Sequence, residues 1–481
     1  FLYFSSFGIL DTLRQYPDIA LVGKYVVPTV LLAFCLLYLA DFRLWGNRSM
    51  PVRRILQISG FVLGAMLVIL LDSSRGPFVD VIRKDLWSSL SDGSHLANFL
   101  VSIPNSGIEL PTFVGSANAA DSWKTTPSGV AIPEHKPEIY MVLEESTFDP
   151  RTMDLCNKPI CNLPEFFDPD QRTVASGPLL VHTFGGATYT SEFASLTGLP
   201  HTLFGAAGRY APYKLAPLMQ HTLPDRLREL GYRSVAIYPI YGDFLNARNA
   251  YINYGFDSFH DAIELGLDWG SDDSDVFAAM DRVLEQERKF GKPLLVSVLT
   301  LYQHGPHNHP LSRLEPPWSS GLFPEQSDAL NTAMTNYLYR LHRSAKAMQS
   351  LEKHLLDRPE PTVLLHFGDH EPSFDGLLMP LARSHVDNGP PQWSRTYYMV
   401  KSNLDIDTQV SKPLIDVPVL DIAYLPGLLL QAAGLPPGAY FDAQIALRKS
   451  CAGLFTDCSN QALLDRYYDH VFNHLDVMRS H

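Results

Sequence analysis

Val363-Leu-Leu-His-Phe-Gly-Asp-His370 sets a short apolar run against an abrupt Gly-Asp-His ending. The run Val363–Phe367 has the length of a buried strand and is too short for a helix. In open α/β sheets ligands gather beyond the carboxyl ends of strands, so chemistry is expected in the residues just after such a run. Two other runs end in the same manner. Ile139–Leu143 leads into Glu144-Glu145-Ser146, and Leu294–Leu299 leads into Thr300-Leu-Tyr-Gln-His304. Further strand candidates are Ser234–Tyr238 and Thr396–Val400. Helix candidates are Thr190–Thr197, His221–Leu230, Ser274–Phe290, Ser327–Leu355 and Val419–Ala433. Their alternation predicts an α/β fold, a mostly parallel sheet sandwiched by helices.

A fourth element carries a hydroxyl. Phe184-Gly-Gly-Ala-Thr188-Tyr-Thr-Ser-Glu192-Phe places two glycines before a polar run that opens a helix. Glycines allow a tight turn, and free N–H groups at a helix start favour an anion there. A hydroxyl at this point attacks phosphorus if a coordinated divalent ion lowers its pKa. The plain alternative is a Gly-rich loop with a threonine cap.

Glu145-Ser146 after a strand, Gly-Gly-Ala-Thr188 leading into Ser-Glu192-Phe, Gln303-His304-Gly-Pro306 and Gly368-Asp369-His370 resemble the lipoteichoic acid synthase family. That family of phosphoglycerol transferases belongs to the alkaline phosphatase–sulfatase superfamily, and the likeness runs from about Glu138 to about Gly434. The resemblance implies that Thr188 is nucleophile and metal ligand, with Glu145, Asp369 and His370 completing the shell. Glu144 is the alternative if the register slips by one. It implies that His304, with His307 and His309 close by, contacts the phosphate or protonates the leaving group. It makes Arg248 a phosphate- or glycerol-binding arginine, with Glu192 on the substrate side; the family's usual aromatic before that arginine is replaced by Asn246-Ala247. The Cys/Ser-x-Pro-x-Arg pattern of sulfatases is absent. Thr300 stands where two-metal phosphatases of the superfamily carry an aspartate, so one metal with four protein ligands is expected. Oxygen ligands with one imidazole suit Mn²⁺ first, with Zn²⁺ or Mg²⁺ as alternatives.

The rest of the chain places this domain. Its 481 residues are too many for one ordinary domain, and 46% hydrophobic with 19% charged residues describes a folded protein. A net charge of −13 without a dense Lys/Arg stripe argues against nucleic acid as a partner. The apolar stretches 20–40 and 55–71 each approach the ~20 residues a helix needs to cross a bilayer. Arg43, Arg48, Arg53 and Arg54 between them place that loop in the cytoplasm and everything after Leu71 outside. With Phe at position 1 a trimmed or partial chain is expected, and no cleavable signal peptide is visible. The expected organisation is a membrane region over 1–72, an interfacial helix and linker over 73–137, an extracytoplasmic catalytic domain over 138–434 and a helical tail over 435–481. Cys156 with Cys161 and Cys451 with Cys458 suit local disulfides of an oxidising compartment, with zinc as the competing explanation.

These readings converge on an enzyme of the bacterial inner membrane with its catalytic domain on the periplasmic or extracellular side. By resemblance it moves phosphoglycerol from phosphatidylglycerol, through a phosphorylated threonine, to a glycan or polyol acceptor. A phosphoethanolamine transferase with the same metal and threonine is the nearest rival, and a simple phosphodiesterase is a third option. A non-catalytic membrane protein that binds lipid or glycan belongs to a different class.

Overall fold

Strands in the centre of the sheet read as unbroken apolar runs because helices cover both faces. The computed structural model describes Trp123 and residues 129–309, 311, 314–383, 394–404 and 417–479. The apolar stretches 20–40 and 55–71 and the expected interfacial helix lie outside these residues. Among the described residues no helix is long and apolar enough to cross a membrane. The polypeptide divides into two units. The described part of one is Gly205–Tyr210 and Asp243–Asn246, two short helical turns. The other comprises Leu110–Phe204, Ala211–Gly242 and Ala247–His481, and it carries the sheet.

Eight strands are β1 (Glu138–Glu144), β2 (Thr173–Leu180), β3 (Arg233–Ile237), β4 (Ser258–His260), β5 (Leu294–Leu299), β6 (Thr362–Gly368), β7 (Arg395–Ser402) and β8 (Leu420–Asp421). They lie in the order β4-β3-β5-β1-β6-β7-β2-β8. Only the two pairings of β7 are antiparallel, so the mostly parallel character expected from the sequence holds. The principal helices are α1 (Thr188–Thr197), α2 (Leu223–Glu229), α3 (Asp273–Glu287), α4 (Asp328–Leu356), α5 (Leu425–Ala432), α6 (Gly438–Ser450) and α7 (Gln461–Asp469).

Alternate side chains of the central strands pack on opposite faces. Tyr140, Val142, Val296, Val298 and Leu364 share one core with Val276 and Met280 of α3 and Leu341 and Met348 of α4. Ile139, Met141, Leu365 and Phe367 are equally buried on the other parity, and α5 packs against β6 and β7. Burying both faces of β1, β5 and β6 fixes which residue is last in each strand, and so which side chains meet at the carboxyl edge. The tail is tied to α1: Tyr440 donates to Thr197 O at 2.8 Å and Gln444 Nε2 to Gly198 O at 2.7 Å. Both cysteine pairs are disulfides, Cys156–Cys161 and Cys451–Cys458.

Two expectations need correcting. Val419–Ala433 is not one helix, because β8 and a 3-10 turn over Ile422–Tyr424 precede α5. Asp421 accepts from Ala423 N–H at 3.0 Å, and this cap starts the turn only after the strand has paired with β2. Strand β2 was not anticipated, since Gly177 and Pro178 interrupt its apolar pattern. It forms because β7 pairs along its whole length.

Candidate active site

Three neighbouring strand ends build the floor. β1 lies between β5 and β6, with Leu143 opposite both Leu299 and Phe367. Glu145, Thr300 and Asp369 therefore emerge side by side, and Glu145 N–H donates to Thr300 Oγ1 at 3.1 Å. Gly368 makes the junction between β6 and β1 so close that a Cβ there would overlap the Thr147 carbonyl oxygen. Asp369 is pinned from two sides: its Oδ1 accepts from Ser146 N–H at 2.7 Å and from His370 N–H at 2.7 Å. Its carbonyl accepts from Ser191 Oγ at 2.7 Å, which ties it to α1.

The glycine loop delivers the hydroxyl. Gly185 has φ +69°, and Ala187, the residue before α1, has φ 67°. That left-handed pair turns the chain sharply enough to start the helix on Thr188 itself. A side chain on Gly185 would also meet Ser373 Cβ at 2.7 Å. Thr188 Oγ1 donates to Glu145 Oε2 at 3.0 Å and lies 3.4 Å from His370 Nε2. Glu145, Asp369 and His370 are buried and offer ligand atoms within 4.8 Å of one another. The structure thus brings Glu145, Thr188, Asp369 and His370 together.

These residues fit a divalent cation. His370 Nδ1 faces the Glu371 carbonyl at 3.0 Å, an acceptor, so Nδ1 carries a hydrogen and a neutral ring would offer a cation its Nε2 lone pair. That lone pair faces Asp369 Oδ2 at 3.2 Å and Glu145 Oε1 at 3.6 Å. Asp369 Oδ2 is buried without a hydrogen-bond donor. Acceptors converging in a dry site repel unless a cation lies among them. The same crowding is visible in the acids: burial and the Glu145 charge push Asp369 up to about 7, against the pull of His370. Adding Mn²⁺ at a hundredfold excess over its Kd is expected to stabilise the fold by about 2.7 kcal/mol. A thermal-shift titration checks this, and Asp369→Asn should abolish the shift.

The other sequence candidates occupy distinct places. Glu192 is buried on α1, where burial pushes its carboxyl up to about 8, opposed by a hydrogen bond from Tyr251 and reinforced by Asp369 and Glu145. Glu144 turns away from the ligand set: its Oε2 accepts from Thr300 Oγ1 at 3.0 Å. Glu145 is therefore the acid that meets Thr188. His304 is exposed, its Nδ1 against the Gly305 carbonyl at 2.7 Å and its ring edge-on to Trp269. His307 is buried instead, with Nε2 on the Gln303 carbonyl at 2.9 Å. Arg248 is not joined to the ligand set by these contacts. It pairs with Asp261 and Glu264 at 2.9 Å each and donates to Phe259 O at 3.0 Å. Sequence reasoning quotes Ser146 and Ser191 within its motifs without giving them a role, and it does not reach Tyr251 or the Glu371–Arg383 pair.

Burial, with the Arg340 charge, pushes His307 down to about 3 from an ordinary 6.5. The unfolded chain binds this proton between those two values and the folded chain does not. Stability from neutral His307 is complete above pH 6.5 and falls as pH drops toward 3. Denaturant midpoints measured across that window should decline by the equivalent of a few kcal/mol, and His307→Gln should flatten the decline.

A parallel-rich α/β sheet with two acids, an imidazole and a hydroxyl at its carboxyl edge defines the alkaline phosphatase/sulfatase class of enzymes. The sulfatase family model matches residues 137–434, and the chain belongs to that family. Position 188 is nonetheless threonine and not the cysteine or serine of the sulfatase pattern. An uncharacterized protein of Haemophilus influenzae is 29% identical over 439 residues, 85% of this chain and 77% of the relative. A putative cyclic beta-1,2-glucan modification protein of Rhizobium meliloti is 25% identical over 286 residues, 57% of this chain and 42% of the relative. The Streptococcus pyogenes phosphoglycerol transferase GacH, solved in complex with sn-glycerol-1-phosphate, shares the fold with a TM-score of 0.52 at 17% identity. That match covers 75% of this chain and 88% of GacH.

Proposed function

We propose that the protein transfers the phosphoglycerol head group of phosphatidylglycerol to an extracytoplasmic glycan or polyol through a covalent adduct on Thr188. The carrying observation is the Thr188 hydroxyl 3.0 Å from Glu145 Oε2 and 3.4 Å from His370 Nε2, at the first turn of a helix. Glu145, Thr188, Asp369 and His370 would hold a divalent ion, Mn²⁺ before Zn²⁺ or Mg²⁺, which would supply charge neutralisation of the phosphate and a lowered hydroxyl pKa.

In the first step Thr188 Oγ forms a bond to phosphorus as the bond to the diacylglycerol oxygen breaks. The threonine proton leaves toward Glu145, its hydrogen-bond acceptor, and the departing diacylglycerol oxygen takes up a proton. His304, exposed beyond β5, is the proposed donor of that proton. In the second step an acceptor hydroxyl oxygen bonds to phosphorus as the Thr188 Oγ–phosphorus bond breaks; the acceptor proton restores His304, and Glu145 returns its proton to Thr188. Splitting the transfer means that lipid and glycan never share the site. Glu192 is proposed to line the head-group side of the site. Arg248 fits a head-group role less well, since a phosphate would compete with Asp261 and Glu264 for its guanidinium.

Two local disulfides support a periplasmic or extracellular catalytic domain. The apolar stretches 20–40 and 55–71 support anchoring in the inner membrane. The name of the Rhizobium meliloti relative supports a glycan acceptor, and the ligand of GacH supports a glycerol phosphate group. The test is to incubate the protein with phosphatidylglycerol or phosphatidylethanolamine and weigh the Thr188 peptide. A phosphoglycerol adduct is expected. A phosphoethanolamine adduct would replace the donor, and no adduct with either lipid would end the transferase reading.

A further inference from the structure

One carbonyl oxygen serves two partners in this site. Glu371 O accepts from His370 Nδ1 at 3.0 Å and from Gly185 N–H at 2.8 Å. The first bond fixes which nitrogen of His370 faces the ligand cluster, and the second holds the glycine loop three residues before Thr188. Whatever positions Glu371 therefore aims the imidazole and the hydroxyl together.

The Glu371 side chain is anchored in the interior. It is fully buried, and Arg383, 8% exposed, grips it with a two-pronged fork: Nη1 to Oε1 at 2.6 Å and Nη2 to Oε2 at 2.5 Å. The guanidinium lies over the Phe148 ring, 5.9 Å from its centre. Its own stretch of chain is fastened through Ala382 O, which accepts from Asp154 N–H at 2.9 Å in the turn that ends at Cys156. A planar fork on a carboxylate fixes orientation as well as distance, which a lysine cannot reproduce.

We propose that Arg383 and Glu371 are a positioning pair, setting the aim of His370 and of the Thr188 loop through the Glu371 carbonyl. Neither side chain touches the ligand cluster in the contacts described. The inference rests on the reading of Glu145, Thr188, Asp369 and His370 as a cation site. Removing an outer-layer partner of a ligating histidine lowers metal affinity by about 10–100-fold.

The test compares Arg383→Met, Arg383→Lys and Lys401→Met in the full chain, with Mn²⁺ affinity by calorimetry, the electron paramagnetic resonance spectrum of bound Mn²⁺, and thermal midpoint. Lys401 is the control: it is buried in ion pairs with Glu352 at 2.9 Å and Asp170 at 3.1 Å, in β7 and away from the ligand set. Arg383→Met is expected to lower Mn²⁺ affinity about 10–100-fold and alter the spectrum, and Arg383→Lys to restore only part of the affinity. Lys401→Met should lower the midpoint with affinity unchanged. If Arg383→Met loses midpoint as Lys401→Met does while affinity and spectrum stay at wild type, the pair is structural only and the inference is overturned. If the wild-type chain binds no divalent ion at all, the cation-site reading itself fails and takes the inference with it.

Discussion

Thr188→Ala is expected to lower turnover by about four orders of magnitude or more, the scale of losing a nucleophile. The thermal midpoint should stay within about 2 °C of wild type, since only a half-buried hydroxyl is lost. The hydroxyl is the group proposed to form the covalent bond. Glu145, Asp369 and His370 remain in place without it, because Ser146, Ser191 and Glu371 hold them independently. Mn²⁺ binding should weaken but persist in the variant. Steady-state rates with lipid donor, alongside intact-mass spectra, check the prediction. Near-normal turnover without an adduct would mean that water or acceptor attacks the phosphate directly.

Gly368→Ala is the second large effect, and it acts on folding first. The added methyl would overlap the Thr147 carbonyl, a backbone atom with no rotamer to yield. Strands β1 and β6 would have to part at the point where Glu145 and Asp369 leave them. A loss above about 4 kcal/mol is expected, the class of overpacking in a core. For a domain of this size that corresponds to a fall of roughly 10 °C in midpoint. Expression yield and thermal melts give the answer; a midpoint within about 2 °C of wild type would contradict the close approach.

Much of this was readable in the chain because central parallel strands are buried on both faces. Val363–Phe367, Ile139–Leu143 and Leu294–Leu299 are unbroken apolar runs, and the structure extends the first two by only a residue at each end. The polar residues after them share one edge because the strands run parallel. Strand β2 was not readable, since Gly177 and Pro178 mask a segment whose strand character comes from pairing with β7. Residues 419–424 read as helix because they run straight into the helix-favouring Leu and Ala of α5, and the pairing of β8 with β2 overrides that continuity. The placement of Arg248 depended on Asp261 and Glu264, whose nearness arises only when β4 closes beside β3. Tertiary neighbours set all three, and no local pattern contains them.

The ligand cluster is stitched from remote stretches: Thr188 and His370 lie 182 positions apart and meet at 3.4 Å. A nascent polypeptide emerging amino end first would expose its hydroxyl long before the imidazole has been synthesised. Competence for the proposed transfer then waits until both stretches have been synthesised and brought together.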